Sequence, residues 1–179
     1  MLLDLPSNRD EGWRWSDLSA LPEIARRPTG SALNRQLHQL PWIDCALPGP
    51  RLLFVDGQFD ETRSNLGPLT IGEVDADPRD HPLARQIGRT GWRLALGRDH
   101  APARLVQIVH VTTGGADHLP AAITLDTDAQ ASIVETFVGE GWTNRLAQIR
   151  LAKGARLMLA RRMLGTSRFV SLTDFPDVG

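Results

Sequence analysis

The sequence predicts a mainly β chain, a few coils of a β-helix preceded by a small helical or mixed N-terminal region, and three observations predict it. Composition changes near residue 100. Up to about Gly97 the chain is rich in tryptophan, proline and helix signals. From Ala103 onward, short runs of Val, Ile, Leu and Thr are punctuated by glycine, which is the vocabulary of strands. An internal repeat then runs through the second region. Its apolar positions recur while their neighbours change freely between acid, base and neutral, as expected of a repeated inward face with unconstrained outward partners. The boundary implied is a mixed region over 1–100 and a β-helix core over 101–179.

In the first region, Ser7 followed by Asp10 and Glu11 predicts a short helix carrying Trp13 and Trp15, because acidic residues favour a helix's first turn. A second helix is predicted from Ser31, with Leu33, Leu37 and Leu40 on one stripe and Pro41 stopping it. Leu52 to Val55, then Asp56-Gly57, then Gln58-Phe59 reads as a hairpin, since Asp-Gly readily supplies positive φ angles. Asp80 is placed to cap a third helix, with Pro82 in its first turn and Leu83 and Ile87 on its buried side. This region therefore reads as helical by majority.

The repeat has a period of 26 residues: Leu125 falls over Leu151, Ala129 over Ala155, Ile133 over Leu159, Phe137 over Met163, Val138 over Leu164 and Gly139 over Gly165. Periods of roughly 20 to 50 residues mark solenoids, in which one unit cannot bury its apolar face and stacks on the next. With strands as the element the stack is a β-helix, turned at Gly114-Gly115, Gly139 to Gly141 and Gly165. An antiparallel sandwich is the alternative, because short strands and glycine turns suit it too.

The formal charge of −1, from 20 basic and 21 acidic residues, offers no overall field for nucleic acid or anionic lipid. No apolar run approaches the roughly 20 residues needed to cross a bilayer, and Met1 to Pro6 does not read as a signal peptide, so a soluble, cytoplasmic protein is expected. The single cysteine, Cys45, excludes an internal disulfide and any site built from this chain's thiolates alone; its apolar surroundings make it a packing residue.

No motif of an ordinary enzyme is present: neither a nucleophile elbow, nor a phosphate loop, nor a dinucleotide fingerprint. His110 lies in a strand run and His118 comes after a glycine turn, so both read as structural histidines; His38, His81 and His100 read as solvated. Glu73, Asp75, Asp77 and Asp80 lack the spacing of a calcium loop and read as a solvated connector. Arg156, Arg161, Arg162 and Arg168 form the densest basic patch, with Arg156 and Arg162 on one strand face and Arg161 on the other. Asp126, Asp128 and Glu135 are read as outward carboxylates. No catalytic residue, metal ligand or cofactor-binding position is assigned.

Two stretches resemble the SufD family of the SUF iron–sulfur cluster assembly system. The first is Pro6 to Leu18, with its acidic pair, Trp13-Arg14-Trp15 and Ser16-Asp17-Leu18. The second runs from Ile108-Val109-His110-Val111 through Ala129 to Gly139, Thr143-Asn144 and Gly154-Ala155-Arg156-Leu157; Phe54-Val55-Asp56-Gly57-Gln58-Phe59 also suits the family. Asn8 stands for a common arginine and Trp15 for a usual tyrosine. The resemblance implies a right-handed parallel β-helix and a non-enzymatic scaffold acting with SufB-like and SufC-like partners. Any iron–sulfur cluster would be held at the level of that complex and not by this chain alone. Family members usually continue through more coils to a C-terminal helical region that docks SufC, so a short or truncated member lacking that part is expected, with about two or three coils.

The final coil leaves a strand edge open, and a copy of the chain or a SufB-like partner is expected to cover it. The competing reading is a carbohydrate-active β-helix enzyme working through Asp126, Asp128 or Glu135. An RNA-binding surface at Arg156 and Arg162 lacks interleaved aromatics.

Overall fold

Aliphatic and β-branched runs set the strands, and the tight Asp-Gly turn sets the first pairing. The computed structural model describes residues 5–7, 9–30, 40–44, 49–75, 83–102, 104–166 and 168–175. Strand β1 (Arg51–Val55) folds back on β2 (Gln58–Phe59) as an antiparallel hairpin, and Asp56 and Gly57 take the positive φ of 47° and 77° that such a turn requires. Strand β3 (Leu69–Glu73) pairs antiparallel with β4 (Thr90–Leu96). Then come β5 (Val106–Leu125), β6 (Gln130–Leu151), β7 (Arg156–Gly165) and β8 (Arg168–Asp174).

All eight strands belong to one mainly parallel sheet that does not close on itself. The first half of β5 lies between β1 and the first half of β6, with β7 beyond; the second half of β5 lies between β4 and the second half of β6, with β8 beyond. The parallel register steps by 26 residues from β6 to β7, from β6 to β8 and between the second halves of β5 and β6: Leu125 pairs with Leu151, Ile133 with Leu159, Phe137 with Met163 and Gly139 with Gly165; between the first halves of β5 and β6 it steps by 27, with Val106 opposite Ile133. The repeated apolar set in the sequence is thus a set of ladder neighbours. Antiparallel β2 and β3 cover one end of the ladder, whereas among the described residues β7 and β8 each pair with β6 alone.

The register of β5 slips between Thr113 and Ala116, across Gly114 and Gly115. The chain turns there, so that Val106 and Ile108 before the slip share one apolar cluster with Leu119, Ile123 and Leu125 after it. Gly139 sits at the same corner one strand on, with a φ of 112° and its Cα packed on the Thr112 carbonyl oxygen; a Cβ would collide with that oxygen. Both faces of β5 and β6 are covered, which is why these two strands read as nearly continuous apolar runs. Leu52 and Phe54 join the inner cluster, while Leu53, Val109 and Val111 meet Leu40 and Trp42 on the other face.

The N-terminal region departs from its expected helical character. Asp10 accepts hydrogen bonds from the Ser7 amide at 2.8 Å and hydroxyl at 3.2 Å, and the chain makes only a 3-10 turn at Glu11–Trp13. That local bonding competes with a helix. Trp13 packs beside Leu21 and Ile24 of α1 (Leu21–Ala25), a five-residue helix too short to leave a periodic signature, while Trp15 is 91% exposed. The expected helix from Ser31 falls mostly on 31–39, outside the described residues, as do Asp80 and Pro82 of the third. Leu83 is buried as expected, but the chain beyond it makes only a 3-10 turn at Ala84–Gln86. Among the described residues strands β1 to β4 outweigh helix here because β1 and β4 find parallel partners in β5, a tertiary effect that local propensity does not carry.

Candidate functional site

Alternation along each strand carries polar residues into the interior. On β5, Val106 and Ile108 face the inner cluster, so His110 goes inward with them; on β6, Ile133 leads to Glu135 and Phe137; on β7, Leu157 and Leu159 lead to Arg161. From the other half, Leu119 on β5 leads back to Asp117, and Ala147 on β6 to Arg145. The apolar interior therefore gives way to a charged layer near the corner.

Arg145 Nη2 donates to Asp117 Oδ2 at 2.8 Å, and both side chains are nearly inaccessible, at 3% and 1% exposure. Its guanidinium also lies 5.3 Å from the centre of the Phe137 ring. Arg161 Nε donates to Glu135 Oε2 at 3.1 Å, and Arg161 Nη2 reaches Thr173 Oγ1 at 3.4 Å. His110 is sandwiched between Phe54 and Phe137, with ring centres 5.3 and 4.7 Å apart and interplanar angles of 15° and 7°. Its Nε2 lies 3.4 Å from Glu135 Oε1, a close approach whose alignment does not make it a hydrogen bond.

Burial sets the electrostatics and the partners decide their outcome. Burial pushes the Glu135 carboxyl up, but its contact with His110 and the positive field of Arg161 and Arg145 bring it down to about 2. Asp117 is likewise pushed up by burial and pulled below the usual carboxylate range by Arg145. Burial lowers His110, and Arg145 lowers it further, outweighing Glu135 and Asp117, so the ring is neutral. His118 is lowered by burial against the pull of Asp117. The Asn144 amide nitrogen donates to the Leu83 carbonyl at 2.9 Å and meets His118 Nδ1 at 3.0 Å, which makes that nitrogen the acceptor; Trp142 packs edge-on to the same ring at 4.8 Å.

Two cations thus neutralise two carboxylates inside the sheet. Groups held ionised to such low pH cannot donate protons near neutrality. What the layer does is tie rungs together: Glu135 to Arg161 across one ladder step, and Asp117 to Arg145 across another.

Glu135 corrects the sequence reading, which placed it outward; it is 3% exposed and paired. Asp126 and Asp128 are exposed as read, with the Asp128 carboxylate packed on Gly154. His110 and His118, read as separate, border the same charged layer. Arg161 does oppose Arg156 and Arg162: it points in, Arg156 is exposed, and Arg162 Nη1 donates to the Pro41 carbonyl at 3.2 Å. His100 is exposed, and Glu73 pairs with Arg89 at 2.7 Å. Cys45, His38, His81, Asp77 and Asp80 lie outside the described residues. Among the described residues no group of three or more His, Cys, Asp or Glu could hold a metal ion, and no helix is long and apolar enough to cross a membrane.

Asp117 and Arg145 carried no sequence signal of their own. Glu135 did carry one: it stands two residues from inward Ile133 and Phe137, and one repeat later its place is taken by Arg161, its opposite in charge. No family model matches the sequence, and no curated protein matches it either.

Proposed function

We propose that this chain is a non-catalytic scaffold subunit of a SUF-type iron–sulfur cluster assembly complex, the start of a right-handed parallel β-helix that works beside SufB-like and SufC-like proteins in the cytoplasm. The observation that carries the reading is the parallel register of 26 residues linking β6 to β7 and β8 and to the second half of β5, with 27 between the first halves of β5 and β6, in which stacked rungs carry apolar residues at matching positions. A stack of that kind presents successive strands at regular spacing and leaves a β edge for another subunit. The segments that resemble SufD supply much of it: Ile108 to Val111 lies in β5, Ala131 to Gly139 in β6, and Arg156-Leu157 opens β7. The charged layer supports a structural role, since its ionised groups are spent on one another. Iron and sulfide would be cargo of the assembled complex.

The test is co-purification of the chain with SufB-like and SufC-like proteins from one cell. Retention of both through a salt wash and gel filtration is expected; retention of neither sinks the assignment.

A further inference from the structure

We infer that the cleft between Pro50, Pro68 and Pro102 binds a small aromatic monocarboxylate, with its ring among the prolines and its carboxylate on Arg104. Such a site lies beyond the scaffold role and is present whatever the chain's partners are.

The cleft has a volume of about 350 Å³, within the range of small-molecule sites. Pro50 comes just before β1, Pro68 just before β3, and Pro102 lies in the connection from β4 to β5, so three segments distant in sequence each contribute a ring. Ala101 joins them, and Leu96, the last residue of β4 and a member of the inner apolar cluster, lines the cleft from the core side. Proline has its φ fixed before folding, so walls of this kind lose little freedom when a ligand enters.

The walls are braced by the chain itself. Gly67 takes a φ of 53° and packs on the Pro50 ring, where a Cβ would come within 2.6 Å of Pro50 Cγ. The Pro50 carbonyl accepts from the Gln107 amide at 3.0 Å. Across the cleft, the turn after β4 is tied to the next corner: the Asp99 amide donates to the Thr127 carbonyl at 3.0 Å, and the His100 carbonyl accepts from the Gln130 amide at 2.9 Å. His100 also lines the cleft, and its Nδ1 donates to the Arg98 carbonyl at 3.3 Å, so its own turn sets the orientation of the ring.

Charge identifies the ligand. Among the described residues that line the cleft none is acidic, and Arg104 is the one permanent charge. Arg145 and Arg161 are each bonded to a carboxylate. Arg104, by contrast, is half-buried and makes no hydrogen bond or ion pair among the described residues. A guanidinium at the edge of an apolar cleft matches one carboxylate through two parallel N–H···O bonds. One cation leaves a phosphate dianion or a dicarboxylate only partly neutralised. Proline rings and aromatic faces pack well together, as in the recognition of proline-rich segments by aromatic grooves. An aromatic ring bearing a single carboxylate satisfies both parts of the site.

The experiment uses the whole chain and two probes of equal shape, 3-phenylpropionate and its uncharged amide, 3-phenylpropanamide. Titration calorimetry is expected to show the acid binding at one site and the amide at least about tenfold more weakly, the loss of one charge-assisted pair. In a parallel titration followed by NMR, the backbone amides of Ala101 and Arg104 should shift. Arg104→Gln should weaken the acid by about tenfold and bring it level with the amide. Arg98→Gln, an exposed arginine in the same turn, should change neither. Ala101→Trp, at an exposed position on the rim, should fill the cleft and abolish binding of the acid. Circular dichroism confirms that each variant is folded, and the comparison of acid with amide needs no variant. Equal binding of the two probes, binding of neither in the millimolar range, or binding of the acid that survives Arg104→Gln or Ala101→Trp overturns the inference.

Discussion

Arg145 and Asp117 stand 28 residues apart in sequence and meet at 2.8 Å inside the sheet, joining β6 to β5 where both side chains are almost wholly shielded from water. The ladder places Asp117 opposite Thr143, so the arginine reaches back to the same-face residue that precedes its own ladder partner, Leu119. Replacing Arg145 with methionine keeps the packing over Phe137 and leaves a carboxylate buried without its cation. The expected cost is about 3–5 kcal/mol, read from the midpoint of urea unfolding. Adding Asp117→Asn should return more than half of that loss, because the charge that caused it is gone. A double variant as unstable as the single one would show that the pair is not the reason.

The buried titratable groups predict two steps in stability as pH falls. His110 and His118 are lowered from 6.5 in the fold, so the unfolded chain binds protons that the folded one refuses. Their contribution is complete above about 6.5 and is lost below it, by up to about 1.4 kcal/mol per pH unit for each histidine. Glu135 is lowered from 4.5 to about 2, so its contribution is present above 4.5 and disappears between there and about 2. Urea midpoints measured from pH 8 to 3 should fall first below about 6.5 and more steeply below about 4.5. A flat profile between pH 7 and 5 would contradict the burial of the two rings.

His110→Phe separates the stack from the titration. Phenylalanine fits between Phe54 and Phe137 and removes one protonation site, so stability near pH 8 should change by less than about 1.5 kcal/mol while the first acid step weakens. His110→Ala opens a cavity in the stack and should cost about 2–5 kcal/mol at every pH.

Gly139 tests the corner. With φ at 112° and the Thr112 carbonyl where a Cβ would go, alanine must both strain the backbone and push two strands apart. Gly139→Ala should lower stability by about 3 kcal/mol or more. Gly12→Ala, at a position with nothing within 4 Å, should leave it within about 1 kcal/mol. Thermal unfolding of the pair provides the comparison.

By itself the sequence determined the parts of this protein that depend on periodicity and on turn chemistry. Asp56-Gly57 announced the β1–β2 hairpin because only a turn with two positive φ angles joins those strands. The recurrence of Leu125 at Leu151 and Ile133 at Leu159 announced the ladder because stacked positions share one environment. The strand alternation also placed Arg161 opposite Arg156 and Arg162. The tertiary structure alone decided what lies far apart in sequence and close in space. Strands β1 and β4 exist because β5 offers them an edge, and Leu21–Ala25 is helical with too few residues to show a period. Glu135 went inward with Ile133 and Phe137, and a carboxylate reads as a surface residue until its cation is located. That cation, Arg161, lies one ladder step away, and Arg145 and Asp117 find each other the same way. Burial of a charge is settled by a partner's position, which is a property of the folded chain and of no segment of it.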